Sequence, residues 1–197
     1  MSTVAAEPKI TPEEFLALPD KERFELVDGQ LAEVNVSVLS SLVGGRVYYT
    51  LQNHFGLNDL GYVWPADLYL RCFADPNKLR KPDVTFIAKD RLTAEILDEG
   101  YLITPPDLVV EVVSPNDLAY EIDEKVQEYL DAGVQLVWVV NPALHTVRIH
   151  RADGTITGLH ESDDLSGENV VPGFRCSVAT FFPSRPASAI PPSSAKG

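Results

Sequence analysis

The chain is poor in cysteine and in positive charge. Its 197 residues include only two cysteines, Cys72 and Cys176. They lie far apart, with no CxxC and no histidine at a ligand spacing, which argues against a structural zinc and fits a reducing cytoplasm. His54, His145, His150 and His160 form no ligand pattern either, and His54 is expected to interact with a helix C-terminus. No apolar run approaches the roughly 20 residues that span a bilayer, so no membrane partner is expected. The opening MSTVAAEPKI has neither a charged n-region nor an apolar h-region and does not read as a signal peptide. GxSxG, P-loop and GxGxxG patterns are absent.

Sixteen Lys and Arg against 29 Asp and Glu give a formal charge of -13. Such a field repels a polyanion, so any nucleic-acid partner needs a local basic surface. The candidate stretch runs from Arg71 to Arg91. It carries Arg71, Lys78, Arg80, Lys81, Lys89 and Arg91 against Asp75, Asp83 and Asp90. It reads either as that surface or as a solvated loop.

What remains is an ordinary globular composition, 45% hydrophobic, long enough for one domain with a sizeable core. That domain is placed at residues 10–182, after a flexible N-terminus (1–9). The Pro/Ser/Ala-rich tail PSRPASAIPPSSAKG (183–197) reads as disordered. Thr11-Pro12-Glu13-Glu14 carries a capping box and opens a helix. Asp28-Gly29 marks a hairpin whose returning strand is expected to run from Leu31 to Val38. Ser40-Ser41 is read as the cap of a second helix reaching about Phe55, with Gly44-Gly45 inside it for close packing or ligand approach. Strands are expected at 62–71 and 84–88, and 91–101 reads as helix or loop. The apolar run 107–113 reads as a central strand covered on both faces. A helix follows, capped by Ser114 and closed at Gly133, then a strand at 134–140 and a hairpin through Asp153-Gly154. The class is α/β or α+β with a mixed central sheet.

Three polar residues stand out. Strand alternation puts Leu108, Val110 and Val112 on one face and Val109, Glu111 and Val113 on the other. A carboxylate among valines costs several kcal/mol unless it is paired, hydrogen-bonded or bound to a metal. Glu111 is therefore a buried ion pair, a metal ligand or a general base. Leu118, Ile122, Val126, Tyr129 and Leu130 form an apolar helical stripe, and Lys125 lies at its edge, about 20° from Leu118. It either reaches beyond the strand, snorkels to solvent, or pairs with Glu121. Asp83 precedes a strand after a proline. Two carboxylates suit Mg²⁺, and a nearby ammonium can steady developing negative charge.

In order, Pro82-Asp83, Glu111-Val112-Val113-Ser114, Lys125 and Tyr129, Gly133-Val134, and Val137-Trp138-Val139-Val140-Asn141-Pro142 resemble the Uma2 family. That family is grouped with the PD-(D/E)XK restriction-endonuclease-like nucleases. Phe24-Glu25-Leu26-Val27-Asp28-Gly29 matches its N-terminal hairpin, and the resemblance covers roughly residues 10 to 182. It implies a restriction-endonuclease-like core with a mixed sheet flanked by helices, and a Mg²⁺-dependent endonuclease site in which Mn²⁺ can substitute. The implied substrate is nucleic acid, DNA above RNA. Asp83 and Glu111 are implied as metal ligands, Glu25 as a further acidic member and Lys125 as the lysine. In the superfamily pattern that lysine stands two positions after the glutamate, where this chain has Val113. Arg71, Arg80 and Lys81 are the expected nucleic-acid contacts. A homodimer is expected by analogy with two-fold restriction-like nucleases. The alternative is a catalytically weak or inactive interaction module on the same fold, for which the acidic surface is better suited than for DNA.

Overall fold

The computed structural model describes residues 9–93 and 97–184. The expected N-terminal arm, except for Lys9, and the tail from 185 onward lie outside the described residues. Helix α1 (Pro12–Leu16) has the expected capping box: Glu14 N–H donates to Thr11 Oγ1 at 3.2 Å, and Thr11 N–H donates to Glu14 Oε2 at 2.7 Å. Strands β1 (Phe24–Val27) and β2 (Gln30–Glu33) pair through Asp28 and Gly29 at φ 51° and 79°. Both values are left-handed, as a type I′ turn requires. The returning strand stops at Glu33, short of the expected Val38.

Helix α2 (Val38–Asn58) begins earlier and ends later than the sequence suggests. Its cap is Ser37, whose Oγ accepts from Ser40 N–H at 3.0 Å while Ser40 Oγ accepts from Ser37 N–H at 2.9 Å. Ser40 thus fills the third position of a capping box rather than the cap. His54 does not cap the helix end; its Nε2 lies 3.0 Å from the carbonyl of Pro172.

Six strands form the central sheet: β3 (Gly61–Pro65), β4 (Val84–Ala88), β5 (Leu108–Val112), β6 (Leu136–Asn141), β7 (Thr146–Arg151) and β8 (Ile156–His160). They lie in that spatial order, with β5 and β6 parallel and every other neighbouring pair antiparallel. A parallel pair needs a crossover, and helix α3 (Ala119–Asp131) supplies it. The strand expected at 62–71 ends at Pro65. Asp67, at φ 95°, turns the chain, and Leu70 makes only isolated bridges to Arg80 and Leu102. Beyond the sheet, β9 (Asp164–Ser166) pairs with β10 (Arg175–Ser177).

All five residues of β5 are buried, and their parity is the expected one. Leu108, Val110 and Val112 meet Val43, Val47, Leu51 and Phe55 of α2, together with Val171 and Phe181. Val109 meets Val137 and Val139 across the sheet and Ile122, Val126 and Tyr129 of α3. Full burial of each such side chain is worth about 1.5–3 kcal/mol, so one helix is fastened to each face. Leu118 is not part of the α3 stripe: it caps the helix through its backbone and is half exposed. A third cluster of Phe15, Leu26, Tyr69 and Leu79 fixes the β1–β2 hairpin to the rest. No helix among the described residues is long and apolar enough to cross a membrane.

Candidate active site

Strand β5 runs antiparallel to β4, and their last register pair is Val84 against Val110. One step further, Asp83 arrives beside the C-terminal end of β5. Its Oδ2 accepts from Val112 N–H at 2.7 Å. This bond holds the carboxylate next to Glu111, which projects from the same strand end toward α3. At Gly44, α2 comes close on the other side. A methyl there would lie 3.8 Å from Asp83 Cβ and 3.9 Å from Val112 Cγ2, ordinary contact distances, so the space beside the site would admit an alanine and close packing does not demand the glycine. Ser114 does not cap α3. Its hydroxyl donates to Ser40 Oγ at 2.8 Å and ties the segment after β5 to α2.

The interior charges form one connected row. Lys78 Nζ pairs with Glu128 Oε1, and Arg80 Nε donates to Glu128 Oε2 at 2.7 Å. Arg80 also donates to Glu25 Oε2 at 3.0 Å, and Lys125 Nζ lies 3.1 Å from that oxygen. Lys125 is 3.8 Å from Glu111 Oε2, while Tyr129 hydroxyl donates to Glu111 Oε1 at 2.6 Å. Glu25 Oε1 accepts from Lys81 N–H at 2.8 Å. Three cations alternate with three carboxylates, so the row is neutral. Among the described residues, Asp83 is left over, with no basic side chain within ion-pair distance.

Burial raises Glu111 to about 7, against the pull of Lys125, and the neighbouring Asp83 adds to the rise. Burial likewise raises Asp83 to about 6, against the Val112 hydrogen bond and Lys125. Glu25 shows the opposite result: burial pushes it up, but Lys125 and Arg80 reverse this and hold it below its usual range. Lys125 would be lowered by burial, yet Glu111 and Glu25 outweigh that and keep it above the ordinary lysine value. It is therefore an ammonium throughout the physiological range. Its partners are Glu25 and Glu111, and the expected alternative of a Glu121 pair does not form.

These residues line a cleft of about 340 Å³ whose mouth carries Glu33, Asp117, Glu121 and Glu124. The stretch read as a candidate basic surface is charge-balanced in the structure. Every cation between Arg71 and Arg91 has an acidic partner: Arg71 with Glu13, Lys78 with Glu128, Arg80 with Glu25 and Glu128, Lys81 with Asp67, Lys89 with Asp59, and Arg91 with Asp107. Arg80 is buried and lines the cleft, with its guanidinium engaged by Glu25 and Glu128. Lys81 borders the cleft with its ammonium turned to Asp67 and the Glu22 carbonyl. Arg71 bonds Glu13 and the Tyr101 hydroxyl and does not line the cleft. Two further members were given no role in the site from sequence. Tyr129 stands one helical turn after Lys125 and Glu128 three residues after it, so the i, i+3 and i, i+4 rule would have placed both beside the lysine.

Among the described residues no three His, Cys, Asp or Glu side chains are arranged to hold an ion by themselves. Mg²⁺ commonly needs less, taking one or two carboxylates and completing its shell with water and phosphate oxygens. Asp83 and Glu111, hard oxygen donors with one carboxylate unbalanced, fit that requirement.

No curated protein matches the chain. Among solved structures, a crystal structure from Anabaena variabilis described as a putative nuclease belonging to DUF820 is similar in fold. The two superpose with a TM-score of 0.75 at 18% identity, covering 87% of this chain and 97% of that one. Residues 12–179 match the family described as "Uma2: Putative restriction endonuclease", and with most of its length inside that match the chain belongs to the Uma2 family.

Proposed function

We propose that the chain is a Mg²⁺-dependent endonuclease, with Mn²⁺ able to substitute, that hydrolyses phosphodiester bonds of nucleic acid, DNA above RNA. The observation that supports this most is the excess carboxylate of Asp83 beside Glu111, at the cleft end of an otherwise neutral ion row. Asp83 and Glu111 would hold the ion. When bound, it would polarise the scissile phosphate and lower the pKa of a coordinated water. Tyr129 fixes Glu111 through Oε1 and leaves Oε2 toward Lys125 and the cleft. Lys125 stays an ammonium, so its part is to stabilise the charge that accumulates on the phosphorane, not to remove a proton. Glu25, with both oxygens engaged by the protein, is a positioning residue that aims Lys125.

The test is cleavage of single-stranded DNA, double-stranded DNA and RNA with Mg²⁺, Mn²⁺ or EDTA, run beside Asp83→Asn and Glu111→Gln. Metal-dependent cleavage by the parent chain, lost in both variants while calorimetry shows weakened ion binding, is the expected outcome. Cleavage that survives EDTA or either substitution would overturn the site.

A second reading has its own support. The acidic mouth and the full pairing of the 71–91 cations suit a protein partner better than a phosphate backbone. If the chain is such a module, no metal binds and no strand is cut. Any affinity for DNA should in either case depend weakly on salt, because few free cations are available to displace counterions.

A further inference from the structure

Helix α2 is apolar on two sides, and the sheet uses only one. Val43, Val47, Leu51 and Phe55 are buried against the sheet. On the outward side, Val38, Leu42, Gly45, Tyr49, Gln52 and Gly56 follow one another at steps of four, three, four, three and four, and all are exposed. Val38 is 92% exposed, Leu42 45% and Tyr49 66%. That spacing is the seam by which one helix packs against another. It runs for about 27 Å at 1.5 Å per residue. Val36, also exposed, extends it at the N-terminal end.

The charge distribution decides what fits this seam. In a chain of net charge -13, α2 has 21 residues without a single Asp or Glu, and Arg46 is its only Lys or Arg. A nucleic-acid backbone or an anionic membrane would need several cations here, and there is one. Two copies of so acidic a chain repel one another except where carboxylates are missing, and this helix is such a place. We propose that the outward face of α2 is the contact between two copies of this chain, helix against helix about a two-fold axis. Gly45 permits close approach, since a Cβ built there meets no atom within 4 Å. The contact is linked to the cleft but does not depend on its chemistry: Ser40 of the same helix is hydrogen-bonded to Ser114, and Gly44 faces Asp83.

Light scattering coupled to size exclusion, run on the full chain over a wide range of concentration, tests the proposal. The expected mass is twice the 21.7 kDa of one chain. Leu42→Glu and Tyr49→Glu should each halve it with the circular dichroism melt preserved. Gly45→Cys should give, under mild oxidation, a reducible doubled band on a gel. The parent chain, whose Cys72 and Cys176 are half-buried, should give none. A parent chain at single mass throughout, a dimer that survives both glutamates, or a Gly45→Cys dimer that does not link would each overturn it. A heteromeric partner on this face would show as the first of these outcomes.

Discussion

The two long helices cover opposite faces of one sheet and are built on opposite principles. Helix α3 brings Lys125 and Tyr129 against Glu111, and its Lys125 and Glu128 meet Glu25 and Arg80 from the N-terminal half. Helix α2 brings valine, leucine and phenylalanine and no acid at all. The α3 side must satisfy the charges it buries, because an unpaired one costs several kcal/mol, and among the described residues Asp83 is held there by the Val112 N–H alone. The α2 side needs only shape. A single strand, β5, serves both, with its odd- and even-numbered residues facing different solvents in effect.

That contrast can be broken from either side. The largest effect should come from Glu111→Ala, which should lower cleavage at least about a hundredfold while the protein remains folded. Loss of the fold instead would make Glu111 a structural ion-pair member. Next, Arg80→Ala leaves Glu25 and Glu128 without their shared cation and should destabilise by about 3–5 kcal/mol in urea melts. Leu51→Ala on the other face should cost about 2–5 kcal/mol by opening a cavity, yet leave ion affinity of the folded protein unchanged. If Leu51→Ala alters ion affinity as much as Arg80→Ala does, the two faces are not independent.

A smaller effect concerns pH. Folding raises Glu111 from 4.5 to about 7 and Asp83 from 3.8 to about 6, so both bind protons more tightly in the folded state. Their contribution to stability is full below about pH 4 and is lost as pH rises through 6 to 7. Glu25, held below its usual range, works in the other sense and loses its contribution as pH falls. A divalent ion held as proposed would replace the protons on Glu111 and Asp83. Added Mg²⁺ should therefore raise the melting temperature more at about pH 8 than at about pH 5.5. Equal protection at both values would remove the two acids from the ion site.

Parity in β5 was legible because a strand's side chains have a strict period of two, and the Asp28-Gly29 hairpin was legible because its turn demands those residue types. The stripe on α3 was legible except at Leu118, which the periodicity included and the helix does not. The 71–91 segment stayed open between two readings for a different reason. A sequence displays cations, but whether they face solvent depends on acids far away in the chain, such as Glu13, Glu25 and Glu128. Tyr129 counted as apolar in a periodic pattern, and only its neighbour across the helix–sheet contact gives its hydroxyl a use. Ser37 was passed over as a cap because Ser40-Ser41 offered the same chemistry three residues later.

The cleft gathers side chains from a hairpin, the start of β4, the end of β5 and the middle of α3, spread over residues 25 to 125. No fragment ending before α3 contains all four, and part of the surface on which α3 packs, Val137 and Val139, comes from β6. A ribosome must therefore finish about 140 residues before the acidic cluster and its ammonium can meet. Truncated products, however well they collapse, lack the assembled cluster.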